Sequence, residues 1–134
     1  MAIRSAIAIY NTADASFDFI YCHSDGNPDR QLAVLSTKYN NAKKTRKLIA
    51  PGDMSKLDTI NGWNKRIQPA GPRYYIDRGE TSVDPRNENE EGLIQFAVNC
   101  FCEFIYIYFP RLGWTCHFTE LLAPNNNPLT DSLL

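Results

Sequence analysis

Glu103-Phe104-Ile105-Tyr106-Ile107-Tyr108-Phe109 is the stretch on which the fold turns. In an extended chain Phe104, Tyr106 and Tyr108 share one face, and Ile105, Ile107 and Phe109 share the other. Both faces are apolar or aromatic, so the segment reads as a central strand. Pro110-Arg111-Leu112-Gly113 turns the chain, and Trp114 to Phe118 returns as a hairpin partner.

Working back toward the N-terminus, Ile3 to Tyr10 alternates. Ile3, Ser5, Ile7 and Ile9 fall on one side and Arg4, Ala6, Ala8 and Tyr10 on the other. A short polar turn separates this strand from a second, Phe17 to Cys22, so the two predict a hairpin. Asn27 with Pro28 fits a helix N-terminus, because proline's missing N–H is no loss at the first helical position. That helix runs to about Tyr39. A second begins near Ala42 and is stopped by Pro51-Gly52. Asp53 to Leu57 reads as one more helical turn with Met54 and Leu57 inward. Residues 61–72 are irregular, and Arg73 to Ile76 is a short strand. Thr81 to Asn89 is a polar loop, and Glu90 to Phe101 is a helix whose second half also reads as a strand.

The resulting order is ββααβαββ. Hairpins at both ends with helices between predict an α+β fold: an antiparallel sheet of about five strands with helices packed on one face. Residues 1–123 form the single domain, and 124–134 read as a loosely held tail.

The chain has 134 residues, 14 of them basic and 15 acidic, for a net charge of −1. That balance argues against general nucleic-acid binding. A basic run, Lys43-Lys44-Thr45-Arg46-Lys47, reads first as a solvated helix face. Asp84 to Glu91 gathers acids around Arg86. No apolar run is long enough to span a membrane, and the N-terminus lacks the pattern of a signal peptide. The expected location is the cytoplasm of a host cell. There is no glycine-rich phosphate loop, no Gly-x-Ser-x-Gly elbow and no His-x-x-x-His pair. Cys100-x-Cys102 is tighter than common zinc spacing, so Cys22, Cys100, Cys102 and Cys116 read as free thiols. No cofactor or metal is expected.

Two polar knots stand at strand ends. In Tyr21-Cys22-His23-Ser24-Asp25-Gly26, His23 and Asp25 are two residues apart and point to one side. Asp25 either tunes His23 as a base or caps the turn. In Tyr74-Tyr75-Ile76-Asp77-Arg78-Gly79-Glu80, Arg78 either presents its guanidinium to an anion or is neutralised by its acidic neighbours. Gly79 permits a positive φ.

Taken with Leu48-Ile49-Ala50-Pro51-Gly52-Asp53-Met54-Ser55-Lys56-Leu57 and the aromatic hairpin, these knots resemble an uncharacterised family of small phage and prophage proteins. The likeness covers most of residues 17–118 and departs at Asn27 and Ile76. It implies a phage accessory product of the anti-defence type. The expected function is to bind and sequester a host-derived anionic small molecule, such as a nucleotide immune signal. His23, Asp25, Tyr75, Asp77, Arg78, Gly79 and Glu80 would converge on one cleft, with Arg78 on phosphate and an aromatic ring on the base. Two alternatives stand beside it: a protein–protein inhibitor of a host enzyme or defence complex using the acidic loop, and a small hydrolase with His23 as base. The chain leaves room for a homo-oligomer.

Overall fold

The computed structural model describes residues 3–57, 71–81 and 83–122. Its element order is β1 (Ser5–Asn11), β2 (Ser16–Ser24), α1 (Pro28–Lys38), α2 (Ala42–Ile49), β3 (Met54–Lys56), β4 (Arg73–Tyr74), a 3-10 turn (Tyr75–Arg78), β5 (Arg86–Glu88), α3 (Glu90–Asn99), β6 (Phe104–Phe109), β7 (Gly113–Phe118) and α4 (Thr119–Leu122). The fold is α+β. The irregular reading of 61–70 and the tail at 124–134 fall outside the described residues.

One seven-stranded sheet runs β4-β3-β2-β1-β6-β7, with β5 pairing β2 off that path. Both expected hairpins form: β1 with β2, and β6 with β7. The purely antiparallel, five-stranded expectation is corrected. β1 runs parallel to β6, and β2 parallel to β3. A parallel neighbour needs a long crossover, and the two helices between β2 and β3 supply one. The extra strands are short: Met54–Lys56 replaces the expected helical turn, and Arg86–Glu88 lies inside the expected polar loop. Met54 and Leu57 are buried as their apolarity requires, Met54 on that strand and Leu57 just after it. Arg73–Tyr74 is extended and then tightens into the 3-10 turn.

Helices on one face only is the second correction. Ala6, Ala8, Ile105 and Ile107 pack with Leu93, Ile94 and Ala97 of α3 and Leu122 of α4. Ile7, Ile9, Ile20 and Tyr106 pack on the opposite side with Leu35 of α1 and Leu48 and Ile49 of α2. The reason lies in β1 and β6. Each is buried on both faces, and an apolar sheet face left open to water is unstable.

The helix ends follow local chemistry. Pro28 opens α1; the side chain of Asn41 accepts from Lys44 N at 2.8 Å, and that of Asn89 accepts from Gly92 N at 2.9 Å. Each of these two caps satisfies a backbone donor that has no intrahelical partner. After α3, Phe101 adopts a left-handed φ of 59° and is 75% exposed. On the α1 side, buried polar groups fix the layer. Ser5 Oγ donates to Gln31 Oε1 at 2.6 Å, Tyr106 OH donates to Gly26 O at 2.5 Å, and Trp114 Nε1 donates to Tyr39 O at 2.7 Å.

Candidate functional site

The outer edge of β2 is shared between two short strands. β5 covers Phe17 to Phe19, and β3 covers Cys22 to Ser24. Between them the Tyr21 N–H has no strand partner. A buried amide must be satisfied somehow, and here the Asp53 carboxylate accepts it at 2.8 Å.

Asp53 reaches that position because Gly52 turns the chain with a φ of 100°; a β-carbon there would lie 2.0 Å from Val83 O. The Asp53 N–H then donates to Val83 O at 2.8 Å, and Asp53 O accepts from Tyr75 N at 3.1 Å. The carboxylate also takes both arms of Arg86, at 2.8 and 3.0 Å. This forked geometry is among the stronger charge-assisted pairings. It holds the Arg86 guanidinium above its ordinary pKa. The Arg86 guanidinium in turn lies 4.6 Å over the Phe96 ring, a cation–π contact.

Around this clasp opens a groove of about 350 Å³, lined by Arg4, Tyr21, Asp53, Arg86, Phe96, Cys100 and Phe101. Its size lies at the lower end of small-molecule sites. Arg4 is anchored by its backbone, whose carbonyl accepts from Glu103 N at 2.9 Å. Among the described residues no carboxylate pairs with its guanidinium. Arg4 acts electrostatically on Tyr21 and Cys100. Burial pushes the Tyr21 phenol up to about 12 despite that cation, and it raises the Cys100 thiol. The Tyr21 hydroxyl meets His23 Nδ1 at 2.8 Å.

None of the seven residues picked from sequence lines this groove. His23 adjoins it through Tyr21. Asp25, at a left-handed φ of 58°, is drawn instead to Arg30 at 3.5 Å and Lys56 at 3.3 Å. Tyr75 is close enough to act electrostatically on Tyr21. Arg78 lies 4.8 Å over the Tyr75 ring and bonds Glu80 at 2.8 and 3.2 Å. Asp77, Arg78, Gly79 and Glu80 are all exposed, and Gly79 has the positive φ its position suggested, 82°. Arg78 is thus occupied by an acid and a ring on the surface, while Arg4 faces the groove.

The sequence reading missed Arg4, Asp53, Arg86, Phe96 and Phe101 as site residues. One signal was present: Arg86 is the single base in the acidic stretch from Asp84 to Glu91, and a lone base among acids invites a partner. Asp53 follows a Pro-Gly break, where a turn aims a side chain. Neither residue reveals its partner until the strands are placed.

No family model, curated protein or solved structure matches this chain.

Proposed function

We propose that the protein binds a small anionic molecule carrying a flat ring, nucleotide-like in chemistry, in the groove between β2, β5 and α3. The observation that carries this is Arg4. It is a guanidinium without a carboxylate partner among the described residues, set in a concave site with three aromatic side chains. Arg86 supplies a second positive charge, but Asp53 offsets it. Arg4 takes the phosphate or carboxylate, because its fork matches planar anions. Phe101, which is exposed, offers a ring face for stacking. Tyr21 adds a phenol hydroxyl, 2.8 Å from His23 Nδ1.

The phage-protein likeness adds a biological role to this chemistry, which is sequestration of a host signalling nucleotide. Calorimetric titration with a panel of mononucleotides, cyclic dinucleotides and dinucleotide cofactors tests the reading. At least one should bind, and Arg4→Ala should weaken it about tenfold or more, since a charge-assisted pair contributes about 1.5–3 kcal/mol. Arg78→Ala should change it less. Silence across the panel, or equal binding by the Arg4 variant, removes the proposal.

A further inference from the structure

We propose that β7 is a pairing edge, through which two copies of this chain join antiparallel about a two-fold axis to form one continuous sheet. This inference is independent of the groove and of what it binds.

The strand order ends at β7. On its inner side β7 pairs with β6 in unbroken register from Phe104↔Phe118 to Phe109↔Gly113. Among the described residues no strand lies on its outer side. The Thr119 N–H donates to Glu103 O at 3.0 Å, which sets the phase of the ladder. Antiparallel neighbours exchange bonds only at alternate pairs, so the N–H and C=O groups of Trp114, Cys116 and Phe118 point outward.

Such an edge is ordinarily protected by a proline, a lysine, a bulge or shortness. Gly113-Trp114-Thr115-Cys116-His117-Phe118 has no proline, lysine, arginine or acid, and its register carries no bulge. The opposite end of the sheet shows the contrast. β4 has two residues, one of them Arg73, and its pairing with β3 shifts register.

The ends of β7 are self-complementary. Antiparallel pairing centred on Thr115, one of the two registers that this phase allows, brings the turn of one copy to the far end of the other. Leu112, 55% exposed, then meets the partner's Phe118, 56% exposed in the single chain. Arg111 arrives beside the partner's Glu120. Apolar meets apolar and base meets acid, and the symmetry repeats each contact. The incoming turn also reaches the mouth of an apolar groove of about 710 Å³, lined in part by Val98, Phe101, Phe118 and Glu120. The occupant is therefore a second copy rather than an unrelated segment.

Sedimentation velocity on the full chain, from micromolar to submillimolar concentration, tests this together with residue-resolved hydrogen exchange. The expected result is a monomer–dimer equilibrium, with exchange at the Trp114, Cys116 and Phe118 amides slowing as the dimer forms. Arg111→Glu alone and Glu120→Arg alone should each weaken the dimer about tenfold, because each introduces two like-charge contacts. The double variant should return it to within about threefold of the parent. Both sites are on the surface, and circular dichroism checks that each variant folds. A monomer throughout the range overturns the proposal. So does a dimer that ignores both charge reversals, or one that leaves those three amides exchanging freely.

Discussion

Asp53 and Arg86 meet through two hydrogen bonds, 2.8 and 3.0 Å long, and one of the carboxylate oxygens they share also accepts the Tyr21 amide at 2.8 Å. One acid therefore closes the gap that β3 and β5 leave along β2. Asp53→Ala would leave a half-buried guanidinium without its counter-charge and a strand amide without an acceptor. The Arg86 side chain is 33% exposed, so water screens part of the loss, and the expected cost is about 3 kcal/mol. Asp53→Asn retains an acceptor and should cost less. Urea unfolding of the two variants measures the difference; an alanine variant as stable as the parent would show the clasp to be incidental.

Gly52 and Gly79 separate backbone strain from steric conflict. Both have positive φ, 100° and 82°, but a β-carbon at Gly52 runs into Val83 O, while one at Gly79 meets nothing within 4 Å. Gly79→Ala should therefore cost only the left-handed penalty, about 1–2 kcal/mol. Gly52→Ala must also break the Asp53–Val83 contact and should cost about 3 kcal/mol or more. Thermal melts rank them, and equal losses would contradict the geometry.

His117 makes stability depend on pH. Burial lowers its pKa below the ordinary 6.5, so below that value the unfolded chain holds a proton that the folded chain has released. Stability rises with pH wherever the unfolded state binds more protons. The contribution from His117 is thus complete above 6.5 and is lost as pH falls through the folded value. His117→Gln can keep a contact to Thr115 Oγ1, now at 2.9 Å, without titrating. Its unfolding free energy should fall less steeply than the parent's between neutral and mildly acidic pH. Parallel curves would assign the dependence elsewhere.

The period-two patterns of Ile3 to Tyr10 and Glu103 to Phe109 made β1 and β6 legible, because alternation is written into adjacent residues. The helix start at Asn27-Pro28 and the break at Pro51-Gly52 are equally local. Parallel pairing is not: Ile7 lies beside Tyr106, and nothing near either residue says so. The two-sided helix cover was available in principle, since both faces of Glu103–Phe109 are apolar. The hairpin order outweighed it. The site fared worse for the same reason. His23 and Arg78 stood out because their neighbours in sequence are charged. Arg4 and Asp53 owe their surroundings to segments far along the chain.

The parallel pairing of β1 with β6 also bears on how the protein is made. The first hairpin emerges early, but the strand that must lie along its other side arrives only after most of the chain has been translated. Until then Ile7, Ile9 and their neighbours border an unfilled slot. Topologies dominated by distant pairings fold slowly and leave apolar edges exposed while they do so. The nascent chain therefore passes through a stage in which β1 lacks its second neighbour, and its unpaired edge is open to aggregation there.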